Sequence, residues 1–246
     1  MNLSDKFSSI YTESREITID QCTNTSKLRL TELCNILQAV AGKHSALGGM
    51  SYFDMQRNNQ AWVLSSMRVE IADLPQWHQN VDIITWIETL NGIRSIRDFE
   101  ITLNHKKIIG VSSLWVVLNT ERRRPENIAL PHEHLTKYPD KKPTKESFTR
   151  IDLNKEATFI KKHQVVFSDL DIVNHVNNVK YIEWCLDCLP LELLENKKIS
   201  AFTTNYLKEL NFNDVVEIYF CDLGKDFYFY IKSDSKVCFA MNLELS

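Results

Sequence analysis

The chain lacks any apolar run approaching ~18 residues, so no membrane-spanning helix is expected. It also lacks an excess of one charge. Its 29 Lys and Arg stand against 32 Asp and Glu, for a formal net charge of −3, and this gives no reason to expect a nucleic-acid partner. The opening stretch MNLSDKFSSIYTESREITID has neither a basic start nor an apolar core. It does not read as a signal peptide, and a cytoplasmic location is expected. Zinc-ligand spacing is missing too. Of the six cysteines (Cys22, Cys34, Cys185, Cys188, Cys221 and Cys238) only Cys185 and Cys188 form a CxxC, with no second ligand pair at suitable spacing. A redox CxxC usually opens a helix, whereas this one falls inside a helical pattern. All six are expected to be reduced core cysteines, with no metal site.

What is present is an ordinary globular composition: 246 residues, 43% hydrophobic and 25% charged. That length allows one large domain or two small ones, each with a real core. Four of the six prolines (Pro125, Pro131, Pro139 and Pro143) punctuate a stretch without sustained periodicity, which reads as a linker. Before it, Leu33, Ile36, Leu37, Val40, Ala41 and Leu47 fall at helical spacing, with Thr31 a candidate N-cap and Gly48-Gly49 a stop. Strand-like segments follow: AWVLSSMRVEI, NVDIITWIETLN, IRSIRDFEITLN and KIIGVSSLWVVLN, with LNGI and LNHKKI as hairpin turns. After the linker comes a strand, TFIKKHQVVF. A helix with His175, Val179, Ile182, Leu186 and Leu189 on its inner face follows, closed near Pro190. Four more strands then return: SAFTTNYLKEL, DVVEIYFCDL, DFYFYIKS and KVCFAMNLEL. No residue-level repeat is evident; the repeat is one of element order. A sheet with one face to bury and a lone helix to cover solve each other's problem twice over. The expected class is α+β, a tandem hot-dog, each half an antiparallel sheet wrapped around one long helix. The expected divisions are 1–125, a linker at 126–156, and 157–246.

The stretch SDLDIVNHVNNVKYIEW places Asp169, Asp171, Asn174, His175, Asn177 and Asn178 at the mouth of the second helix, expected near Asn174 or His175. Unpaired backbone N–H groups of a first helical turn favour a developing oxyanion. Asn174 and Asn178 add amide donors, and His175 can hydrogen-bond, orient a water or carry a proton near neutral pH. Capping by Asp171 or Asn174 would account for one such residue, with His175 a satisfied core histidine. Six polar residues in so short a span exceed what a cap needs. In TNYLKELNF, Glu209 sits in an alternating strand. Facing inward it would be a desolvated carboxylate and a candidate base; facing outward it would be a solvated side chain.

The HVNNVKY core followed by Trp184 resembles the signature of acyl-acyl-carrier-protein thioesterases, bacterial relatives of the plant fatty-acyl enzymes. LQAVAGKHSALGG, QAWVLSSMRVEI, VDIITWIET, RSIRDFEI and SSLWVVLNTERRRP are similar to the family's segments in the same order, so the resemblance spans nearly the whole chain. It implies a tandem hot-dog whose first half serves the acyl chain and whose second half is catalytic. It implies hydrolysis of a fatty acyl thioester on a carrier protein's phosphopantetheine, with no metal or nucleotide cofactor. Residue by residue it implies catalytic roles for Asp171, Asn174, His175 and Glu209, the last through a Tyr-x-x-Glu strand pattern that Tyr206 to Glu209 match, and substrate binding by Asn178 and Trp62. Two departures stand out. Val173 occupies the place of the family's Asn, so either Asn174 takes that role by a one-residue shift in the turn or the role falls elsewhere. Leu210 occupies the place of the plant enzymes' Cys, which excludes a cysteine nucleophile there.

The implied partner is an acidic acyl carrier protein, with neither nucleic acid nor membrane, and the chain is expected as monomer or homodimer. Arg122, Arg123 and Arg124, Lys137, Lys141, Lys142 and Lys145, then Lys161 and Lys162, concentrate positive charge suited to that docking; a solvated linker would look the same. An acyl-CoA thioesterase and a non-catalytic acyl-binding protein are the alternatives, the latter favoured by Val173 and Leu210.

Overall fold

The computed structural model describes residues 3–246. The chain forms two compact units: residues up to Ser65 with Ile71–Ser147, and Ser66–Glu70 with Phe148–Ser246. Among the described residues no helix is long and apolar enough to cross a membrane.

The first unit holds β1 (Ile10–Glu16), α1 (Leu30–Leu47), α2 (Tyr52–Gln56), β2 (Gln60–Ile71), β3 (Asn80–Asn91), β4 (Arg94–Leu103), β5 (Lys106–Asn119) and the two-residue β6 (Arg124–Pro125). Its strands lie in the order β1-β3-β4-β5-β2. α1 buries Leu33, Ile36, Leu37, Val40 and Ala41, as its spacing predicts. It begins one residue ahead of Thr31, with Arg29 at the N-cap, and Gly49 (φ 70°) leaves it in the left-handed region. Both expected hairpins form. Gly92 has φ 58° in the β3–β4 turn. Asn104 and His105 both take positive φ between β4 and β5, the type I′ geometry that matches strand twist. Residues 126–147 belong to this unit. Leu135 is buried with Met50, Ile87 and Leu90, and Trp62, Ile128 and Leu130 pack against them. Pro143 lies so close to β5 that a Cβ on Gly110 would come within 2.0 Å of its carbonyl oxygen.

The second unit holds β7 (Thr158–Gln164), α3 (Asn178–Leu186), α4 (Leu191–Asn196), β8 (Ile199–Tyr206), β9 (Val215–Asp222), β10 (Asp226–Ser233) and β11 (Lys236–Leu245). Its order is β7-β9-β10-β11-β8, completed by Ser66–Glu70 of β2, which pair antiparallel with β8. Three expectations change here. α3 opens at Asn178, not near His175, because Asn174 takes φ 64° and Asn177 supplies the cap, its side chain accepting the Val179 N–H. The helix spans nine residues and is not the long element expected. β8 stops at Tyr206 because the N–H groups of Leu207 and Lys208 both bond the Cys238 carbonyl, which breaks the alternation before Glu209.

The two units share strand order, and they share backbone hydrogen bonds residue for residue. At constant spacing, Thr23 N–H bonds the Lys27 carbonyl as Asp171 N–H bonds that of His175. Ser26 N–H bonds Thr23 as Asn174 N–H bonds Asp171, and Arg29 N–H bonds Gln21 as Asn177 N–H bonds Asp169. The bridges Cys22–Leu28 and Leu170–Val176 correspond, and Ser26 (φ 61°) matches Asn174 in the left-handed region. On the facing segment Leu28 N–H bonds the Pro75 carbonyl as Val176 N–H bonds that of Leu210. The doubled bond of Ala72 and Asp73 to Ile108 repeats in Leu207 and Lys208 to Cys238. A residue-level duplication is therefore present in the backbone where the side chains hide it.

Candidate active site

Residues 170–176 form a tight reversal ahead of α3. The Asp171 carboxylate holds it from inside: Oδ1 accepts the N–H groups of Val173 (2.9 Å) and His175 (3.3 Å). This is the short acidic side chain acting on its own loop, an Asx-type turn. It fixes the backbone at His175. Across from it, Val176 N–H bonds the Leu210 carbonyl, so the segment after β8 lies alongside the loop.

That pairing brings two of the expected residues together. His175 Nδ1 lies 3.2 Å from Glu209 Oε2, with the side chains 24% and 30% exposed. An imidazole held against a carboxylate in partly solvated surroundings can take a proton from a bound water and deliver it to a departing group. Glu209 reaches this place from an irregular segment. It is half-buried between exposed Lys208 and fully buried Leu210, and Leu207, two residues before it, is exposed.

The remaining residues separate into distinct surroundings. Asn174 is exposed at the tip of the reversal. Asn178 is half-buried at the first position of α3, and its carbonyl accepts the Tyr206 hydroxyl at 3.0 Å. Trp62 belongs to the first unit, half-buried against the cluster of Met50, Ile87, Leu90 and Leu135. Most N–H groups expected to meet an oxyanion already have partners: Val173, Asn174 and His175 bond Asp171, Val176 bonds the Leu210 carbonyl, Asn177 bonds that of Asp169, and Val179 and Lys180 bond Asn177. Side-chain amides at Asn174 and Asn178 remain the donors suited to that task.

Sequence reading passed over Tyr181 and His163. Tyr181 on α3 is buried, and burial raises its hydroxyl above the usual range. Its oxygen accepts the Leu210 N–H at 3.1 Å. Tyr206 meets Tyr181 edge-on, with centroids 5.7 Å apart. His163 on β7 packs at a tilt against Trp184 and bonds buried Asp169 at 3.0 Å, while Asp169 also accepts the Val166 N–H. The signal for Tyr181 was its placement beside the polar stretch. Nothing in the sequence marked His163.

All six cysteines are free, and Cys22, Cys188 and Cys221 are only half-buried, not core as expected. Cys34, Cys185 and Cys238 are buried, and burial raises all three thiols, Cys34 to about 12. Much of the basic stretch is engaged locally. Lys141 pairs with Glu100 and sits over the Trp86 ring, Lys142 pairs with Glu88, Lys137 bonds the His132 carbonyl and Lys162 pairs with Glu217. Arg122 and Arg124 stand exposed.

Two units of one strand order, each pairing an antiparallel sheet with a helix, define a double hot-dog protein with an acid–imidazole pair in its second unit. Solved structures share that fold. An acyl-ACP thioesterase from Bacteroides thetaiotaomicron matches with TM-score 0.89 at 24% identity, over 97% of this chain and 98% of the other. The 12:0-ACP thioesterase from Umbellularia californica matches with TM-score 0.83 at 20% identity, again over 97% and 98%. In sequence, residues 8–138 match the acyl-ACP thioesterase N-terminal domain and residues 153–238 the C-terminal domain. The chain belongs to the acyl-ACP thioesterase family. It is 30% identical over 212 residues to the chloroplastic palmitoyl-acyl carrier protein thioesterase of Arabidopsis thaliana, 77% of this chain and 50% of that protein. It is 31% identical over 206 residues to the oleoyl enzyme of Coriandrum sativum, 75% and 55%. The chain thus spans about half the length of these relatives.

Proposed function

We propose that this protein hydrolyses fatty acyl thioesters carried on acyl carrier protein, releasing free fatty acid and carrier. The observation that carries the reading is the 3.2 Å contact between His175 and Glu209 beside the polar entrance of α3, in a chain of this family. A water attacks the thioester carbonyl carbon, and the His175–Glu209 pair takes its proton. The amides of Asn174 and Asn178 stabilise the oxyanion. The tetrahedral adduct then collapses, breaks the C–S bond and releases the phosphopantetheine sulfur, which takes the proton back from the pair. Asp171 acts on His175 through the backbone it holds. Trp62 serves the acyl chain in the first unit. Arg122 and Arg124 supply positive charge toward the acidic carrier, with Lys141 and Lys142 contributing less because Glu100 and Glu88 already engage them.

The test is thiol release from a panel of acyl chains, each presented on carrier protein and on CoA. Faster release from the carrier, lost in a His175→Ala variant, is expected. Equal or faster release from CoA reassigns the substrate. Release from neither, with acyl chains still bound, makes the protein an acyl-binding module.

A further inference from the structure

We propose that Tyr181 is a positioning residue that holds Glu209 against His175 by accepting the N–H of Leu210; this rests on the reading that the pair hydrolyses thioesters. Leu210 is fully buried, and both of its backbone groups are fixed. Its carbonyl takes the N–H of Val176, in the peptide that joins His175 to Val176. Its own N–H, in the peptide that joins Glu209 to Leu210, donates to Tyr181 Oη at 3.1 Å. Each member of the acid–imidazole pair is thus one peptide plane from Leu210, and Tyr181 fixes the plane on the Glu209 side. The tyrosine ring has no room to swing. Trp184, Tyr206 and Phe239 surround it at centroid distances of 5.5, 5.7 and 5.3 Å.

The first unit supplies an internal control. At the position of Leu210 it has Pro75, whose carbonyl accepts the Leu28 N–H in the same way. Proline has no N–H to satisfy. At the helix position of Tyr181 the first unit has Leu33, equally buried and with no hydroxyl. A buried N–H must find a partner. The acceptor on the helix occurs in the unit that has the donor, and both are absent from the other. At the intervening position the unit with the donor carries Glu209 and the other carries Leu74.

The test is Tyr181→Phe in the full chain, assayed on acyl-carrier substrate and by hydrogen exchange. Positioning predicts that kcat falls about 10-fold or more while KM stays within about twofold, since misplacing a reacting group costs rate more than binding. The Leu210 amide should exchange faster. Unchanged kcat with faster exchange overturns the proposal, because the hydroxyl then only satisfies a buried donor. Unchanged exchange overturns it as well. If Tyr181→Phe does not fold, Leu210→Pro removes the same donor with the tyrosine in place, and the same loss of kcat is expected. If the wild-type chain hydrolyses nothing, the proposed function fails and the geometry remains testable. The His175 ring resonances should then move in Tyr181→Phe toward their positions in Glu209→Gln, and ring resonances that stay at wild-type positions sink the idea.

Discussion

The entrances of α1 and α3 are built on the same backbone hydrogen bonds and carry different side chains. Thr23, Ser26, Lys27 and Leu74 stand in the first unit where Asp171, Asn174, His175 and Glu209 stand in the second. Even the loop-holding bond is shared in weaker form: Thr23 Oγ1 accepts the Thr25 N–H at 3.3 Å, as the Asp171 carboxylate accepts that of Val173 at 2.9 Å. The scaffold of the reversal is therefore independent of the acid–imidazole pair. A left-handed residue, a short oxygen-bearing side chain and a facing carbonyl suffice to build it. The proposed chemistry rests on what differs: a histidine where the first unit has Lys27, a glutamate where it has Leu74, and the amides of Asn174 and Asn178 where it has Ser26 and Leu30.

The largest expected effect breaks or confirms that asymmetry. His175→Ala should lower kcat by about 10²–10⁴-fold, the usual contribution of a general acid–base group. Lys27→Ala, at the matching place, should leave it within about twofold on the same scale. Steady-state thiol release checks both, and comparable losses from the two would mean that both entrances take part.

A second difference is electrostatic. His44, on the last turn of α1, is buried between the Phe7 and Tyr11 rings, and α3 ends before the matching position. Its Nδ1 accepts from Arg97, and its Nε2 meets the Ser8 carbonyl. Burial first, then the Arg97 charge, lowers it to about 4. The folded pKa lies below the unfolded value, so the unfolded chain binds the extra proton between the two. Stability is therefore whole above the unfolded pKa of 6.5 and is lost as pH falls toward about 4. The loss should be about 3 kcal/mol. Hydrogen exchange across that range should show α1 losing protection before α3, and His44→Gln should flatten the acid limb.

The smallest effect concerns the shared scaffold. Asp171→Ala should cost about 1–2 kcal/mol in urea unfolding, and Thr23→Ala about 0.5 kcal/mol, because a carboxylate makes the stronger bond to backbone N–H groups. Equal costs would remove the distinction between the two loops.

The strands of both meanders were legible because each has one apolar face, and period-2 alternation survives in β3, β4, β10 and β11. β1 was not, since IYTESRE alternates only weakly and pairs along one side alone, with β3. The start of α3 was misplaced because His175 falls at helical spacing from Val179, and nothing in composition shows that Asn174 turns left-handed. The acid–imidazole pair was legible in membership, through the family resemblance of HVNNVKY and of Tyr206 to Glu209. Its route was not, because the doubled bond to Cys238 that ends β8 is set by a distant strand. The duplication escaped for a related reason: a backbone hydrogen bond asks little of the side chains along it.

The five residues Ser66–Glu70 carry a consequence for anyone recombining such chains. They form the partner strand of β8, with Arg68 bonded to Glu244, Ser66 to the Thr204 carbonyl and the Asn205 amide to Ser66. A fragment cloned as residues 148–246 would leave β8 as a naked edge, the kind of surface that recruits other strands and precipitates. A transplantable second unit is thus discontinuous in the gene, and crossover points chosen from the proline-rich stretch alone would sever it.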